Sequence, residues 1–175
     1  EYEVQPNVFA ASDKVRFHNH DFWGTRFDDY RSWRKGASPE QKLADLYCSG
    51  LEKSAFVMAD IMTTFAETDD HGFAFHCRSG KDRTGLVAAL LLTLAGVPRE
   101  TICADFALTA EYLPDSTPTA EDLKKPGAYQ KGCSAETMTL TLTFLDDEFG
   151  GVEEYLARQG LTDAQLTRIR SKLLD

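Results

Sequence analysis

Cys77 and Arg83 are separated by five short or polar residues in the stretch His76-Cys77-Arg78-Ser79-Gly80-Lys81-Asp82-Arg83-Thr84-Gly85. The apolar run before it, residues 72–76, predicts a short buried strand, and the run after it, residues 86–94, predicts a buried helix. The pattern is therefore a strand, a tight polar loop and a helix N-terminus. The first backbone N–H groups of a helix have no intrahelical partner, and the helix dipole adds partial positive charge there. A loop wrapped over that end collects more N–H groups into a nest that binds anions.

Each residue type in the loop has a use in such a cradle. Gly80 lets the loop curl without a Cβ clash. Arg83 can grip two oxygens of a phosphate or sulfate with its planar fork, and the N–H groups of residues 78–83 face the equatorial oxygens. Cys77 lies at the base, where the same N–H groups and Arg83 favour its thiolate and lower its pKa. A thiolate beneath a bound phosphate is set for in-line attack on phosphorus, giving a cysteinyl-phosphate that water then hydrolyses. Thr84 can hydrogen-bond the sulfur when it leaves as thiolate. The departing oxygen needs a proton, and Asp21, in the loop 21–24 that follows the alternating stretch 15–20, is one candidate donor.

The elements that must hold this loop are legible as periodicities and caps. Residues 15–20 alternate apolar and polar and predict a strand with one buried face. Phe27, Tyr30 and Trp33 recur at near-helical spacing. Ser38-Pro39-Glu40-Gln41 predicts a helix start, with Ser as cap and Gln completing a capping box; that helix runs to about Tyr47. Further helices are predicted over 53–67, 84–95, 99–113, 134–149, 152–159 and 163–174, with 114–132 a loop that can border the site.

Composition bounds the rest. The 175 residues suffice for one domain with a core, and 11 Phe and 2 Trp argue against disorder. A net charge of −9 speaks against nucleic acid as partner, so an anionic substrate must be drawn in locally by a small basic pocket. No apolar run approaches the ~20 residues of a membrane span. Cys48, Cys103 and Cys133 fit neither a zinc site nor a disulfide framework and read as small buried hydrophobes. His18, His20 and His71 lack the carboxylate pattern of a metal centre, and the thiolate chemistry needs neither metal nor cofactor. A reducing, cytoplasmic setting suits a reactive thiolate, with a secreted effector as the alternative.

The ten-residue stretch resembles the phosphate-binding loop of the protein tyrosine phosphatase superfamily, in the form found in bacterial enzymes of tyrosine, dual or lipid specificity. Residues 94–97 with Ile102, Asp105 and 106–109 are similar to the helix pair that follows the loop in that branch, with Phe106 where Tyr is usual; residues 149–156 and 160–162 resemble its C-terminal segment. The resemblance implies an α/β fold, with a central sheet flanked by helices and a helix-rich C-terminal half, over a single domain spanning 1–175. It implies hydrolysis of phosphotyrosine, and also of phosphoserine, phosphothreonine or phosphoinositides. It points to Asp82 as acid or water-positioning group, in preference to Asp21, and to Lys81 and Arg78 as cations at the rim that favour inositol lipids. Family members usually carry a Gly-rich segment and two strands ending in Asp-Leu-Arg before the equivalent of 15–20. Nothing here corresponds, so the expected sheet lacks its N-terminal strands, and the missing segment is an expected partner. The alternatives are a phytase-like inositol phosphatase, a phosphate-binding pseudophosphatase and, on the cysteine alone, a sulfur-transfer or arsenate-reducing enzyme.

Overall fold

The computed structural model of the chain describes residues 9, 11–24, 36–68, 72–113, 119–125 and 127–174. Among these, eight α-helices follow in order: α1 Pro39–Lys53, α2 Ala55–Glu67, α3 Asp82–Leu94, α4 Arg99–Ala107, α5 Thr109–Tyr112, α6 Ala135–Phe149, α7 Val152–Arg158 and α8 Asp163–Leu174. The expected helical turn at Phe27, Tyr30 and Trp33 lies outside the described residues, as does His71.

Local sequence accounts for several helix ends. Ser38 and Gln41 form the reciprocal capping box that opens α1. Ser134 accepts the Thr137 N–H at the start of α6, and Gly150, at φ +86°, closes that helix. Thr162 and Gln165 exchange hydrogen bonds before α8. The single helix expected over 99–113 is two, α4 and α5, with a turn at Leu108 between them.

One apolar core joins all the long helices. Helix α3 runs through it, burying Leu86, Val87, Ala89, Leu90, Leu91 and Leu94, and packs on α4, α7 and α8. Gly85 allows the closest approach: a Cβ there would sit 2.9 Å from the Phe106 ring of α4. Arg170 of α8 donates through Nε to the Leu94 carbonyl at the C-terminal end of α3 (3.2 Å). Tyr155 of α7 donates its hydroxyl to the Leu51 carbonyl of α1 (2.7 Å). Helix α3, whose N-terminus carries the loop, is thus fixed along its length.

The expected central sheet is corrected: among the described residues there is no strand and no sheet. Residues 15–20 and 72–77 carry no regular secondary structure: a stretch becomes a strand only when a neighbour completes a ladder of N–H···O=C bonds. Each stretch lies instead against α2. His20 Nε2 is 3.4 Å from Thr64 Oγ1, and the rings of Phe73 and Phe75 meet Phe65 at centroid distances of 4.6 and 5.7 Å. The reading of 72–76 as a buried strand is corrected with it, since Phe73 and Phe75 are 39% and 40% exposed. Lys172 of α8 steadies this stretch. Its ammonium hydrogen-bonds the Phe65 and Thr68 carbonyls and stands 5.1 Å above the Phe73 ring.

Candidate active site

Residues 77–81 lead from the run 72–76 into the first residue of α3, with Gly80 at φ +75°. A Cβ at Gly80 would meet nothing within 4 Å, so it is the left-handed backbone and not space that calls for glycine. His76 Nδ1 lies 3.0 Å from the Cys77 carbonyl. A carbonyl only accepts, so the proton is on Nδ1, and His76 braces the loop.

Cys77 is half-buried at the N-terminus of α3. Burial pushes its thiol up. The hydroxyl and N–H of Thr84, the N–H of Gly80 and the charge of Arg83 pull it down, and together they win: the thiol lies below its ordinary value. Thr84 Oγ1 is buried and makes no well-formed hydrogen bond with the thiol. Its position beside the sulfur nevertheless favours the charged form. Arg83 is half-buried beside the sulfur, while Arg78 and Ser79 are exposed.

Two neighbours in the sequence go different ways. The Lys81 side chain, expected at the rim, is buried: the residue is 6% exposed. Its ammonium donates to the carbonyls of Gln130 and Gly132 and pairs with Asp82 Oδ1 at 3.3 Å. Lys81 therefore ties the loop to the segment 127–132. Asp82, the first residue of α3, is partly exposed and also accepts at Oδ1 from the hydroxyl of Tyr47 on α1, 2.5 Å away. Tyr47 has no exposed surface. Burial, then the neighbouring Asp82 carboxylate, hold its phenol well above the usual range, so it stays a donor.

Asp21 has a local task, accepting the Gly24 N–H at Oδ1 (2.9 Å) to close the turn 21–24. Phe22 is buried, and Trp23 packs so closely on α1 that a Cβ on Gly50 would lie 2.7 Å from its ring. Both aromatics serve the core. His18 and His20 stack at 6.4 Å, and among the described residues no group of three His, Cys, Asp or Glu could hold a metal. Cys103 and Cys133 are buried, Cys48 partly so, and all four cysteines are thiols. No helix of the described residues is long and apolar enough to cross a membrane.

Sequence reasoning missed Tyr47. It lies 35 residues before Asp82, inside a helix whose other inward positions are apolar, and no local pattern marks it as a partner of the loop.

A sequence pattern described as the tyrosine phosphatase family matches residues 1–175. Among curated proteins, a tyrosine-protein phosphatase of Nostoc commune is 27% identical over 180 aligned residues, covering 96% of this chain and 60% of that protein. A triple specificity protein phosphatase, PtpB, of Mycobacterium tuberculosis is 27% identical over 117 residues, covering 57% of this chain and 42% of that protein. The match thus spans about two-fifths to three-fifths of the length of these relatives.

Proposed function

The chain belongs to the tyrosine phosphatase family, and from that premise we propose that it hydrolyses phosphotyrosine through a cysteinyl-phosphate on Cys77. The observation that carries the proposal is the placement of the thiol: Cys77 is half-buried in the loop that opens α3, where Thr84, Gly80 and Arg83 favour its ionised form against burial. The thiolate attacks phosphorus, the bond to the tyrosine oxygen breaks, and that oxygen leaves with a proton from Asp82. Arg83 and the loop N–H groups hold the equatorial oxygens while charge spreads over them. Water then attacks phosphorus, its proton passes to Asp82, and the sulfur departs as a thiolate that accepts from Thr84.

Substrate scope is wider in at least one relative's name, triple specificity protein phosphatase. That supports phosphoserine and phosphothreonine as further substrates here. The phosphoinositide reading leaned on Lys81 and Arg78 as rim cations. With the Lys81 ammonium buried against carbonyls, only Arg78 supports it, and phosphotyrosine is the better-supported substrate.

The test is turnover of para-nitrophenyl phosphate and a phosphotyrosine peptide by the full-length protein and its Cys77→Ser variant. The expected loss is about 10⁴-fold or more, the scale seen when a covalent nucleophile is removed. Equal rates in the two proteins would overturn the assignment.

A further inference from the structure

The Asp82 carboxylate is held by two buried donors, one from α1 and one from the residue just before it. Tyr47, on α1, places its hydroxyl 2.5 Å from Oδ1. Lys81 places its ammonium 3.3 Å from the same oxygen, and is itself tied to the carbonyls of Gln130 and Gly132. Both donors converge on Oδ1. The Tyr47 ring is fixed in turn, standing edge-on to Phe106 of α4 with centroids 6.1 Å apart.

Packing alone does not explain this choice of residues. Phenylalanine would fill the Tyr47 position, and the hydroxyl adds a buried polar group that must be satisfied. What satisfies it is a carboxylate one residue from Arg83, in a loop shaped to attract anions. Once Asp82 has given up its proton, its carboxylate stands close to the bound phosphate, and Lys81 balances that charge while Tyr47 fixes its direction.

We propose that Tyr47 is a positioning residue for the reaction: by fixing Asp82 Oδ1 together with Lys81, it leaves Oδ2 as the oxygen that gives and takes the proton. The proposal rests on the phosphatase reading above. In the first step, which starts from Asp82 protonated on Oδ2, the Sγ–P bond forms, the bond from phosphorus to the leaving oxygen breaks, and the Oδ2 proton moves to that oxygen. In the second, a water oxygen bonds to phosphorus, the P–S bond breaks, and the water proton returns to Oδ2. Atoms and charge balance with no further reactant. Tyr47 touches neither the phosphate nor the leaving group and acts only through Asp82. Lys81, on this account, serves the carboxylate and not the substrate.

The experiment compares wild type, Tyr47→Phe, Asp82→Asn and the double variant on aryl phosphates of graded leaving-group pKa, with Cys77→Ser alongside. Tyr47→Phe keeps the ring, so the core stays filled. The expected result is a fall in kcat of about tenfold at little-changed KM, a fraction of the ~10²–10⁴-fold that proton transfer contributes. The fall is expected to deepen as the leaving group worsens, and to vanish when Asp82 is already Asn, since two residues acting as one unit are non-additive. Wild-type rates for Tyr47→Phe across the series, or losses that simply add in the double variant, would overturn the positioning role while leaving Cys77-dependent turnover intact. Turnover unaffected by Cys77→Ser would overturn the phosphatase reading and this inference with it.

Discussion

Cys77 shows how far one residue's chemistry follows from its neighbours. Taken alone, a half-buried thiol is a poor nucleophile, because burial disfavours the charged form. The opposing contributions come from two residues within seven positions of it, Gly80 and Thr84, and from Arg83, so they are legible in a short stretch of sequence. Thr84 is the most easily separated. Thr84→Ala removes the hydroxyl and leaves the helix N–H groups in place, so the Cys77 pKa is expected to rise. A higher pKa means less thiolate at any given pH below it, and the acid limb of the rate profile then moves to higher pH. Thiolate absorbance titrated against pH, read beside the kcat/KM profile, checks both; an unmoved limb would show that Thr84 does not reach the sulfur. Lys81 is the opposite case. Nothing in its own neighbourhood distinguishes a rim cation from a buried tether, because the carbonyls that hold it lie 49 and 51 residues away.

Among the elements, helices are better foreseen than extended segments because a helix closes its hydrogen bonds within itself. The capping box at Ser38 and the Gly150 stop are local chemistry, and the C-terminal helices fall where periodicity and caps set them. The runs 15–20 and 72–77 have the alternation or apolarity of strands, yet a ladder needs partners from elsewhere, and among the described residues they rest on α2. The link between the loop and 127–132 also belongs to this scale. Lys81→Met keeps the stem and removes the ammonium, leaving two carbonyls and a carboxylate without that donor. The expected cost is about 1–3 kcal/mol of stability, with kcat falling more than KM rises. A large rise in KM at unchanged stability would mark Lys81 as a phosphate ligand instead.

For the whole molecule, one bond tests whether the site and its support can be separated. Tyr155 ties α7 to the Leu51 carbonyl near the end of α1, and burial holds its phenol above the ordinary range. Tyr155→Phe leaves that carbonyl unpaired in the core, and chemical denaturation is expected to show a loss of about 1–2 kcal/mol, with kcat/KM on para-nitrophenyl phosphate held near wild type. A comparable loss of turnover would mean that α1 carries strain directly to the Tyr47–Asp82 contact. The division between sequence and tertiary structure follows the same physics. The proposed nucleophile, the loop that carries it, the helix that presents it and the family are all legible in the sequence, because they depend on residues a few positions apart and on hydrogen bonds that close locally. Whether the runs 15–20 and 72–77 pair, where the Lys81 ammonium goes and which hydroxyl meets Asp82 were decided only when α1, α2, α3 and the segment 127–132 came together. Those contacts join residues dozens of positions apart, and the reason they form is burial: a charge or hydroxyl taken out of water must find a partner wherever the packed chain offers one.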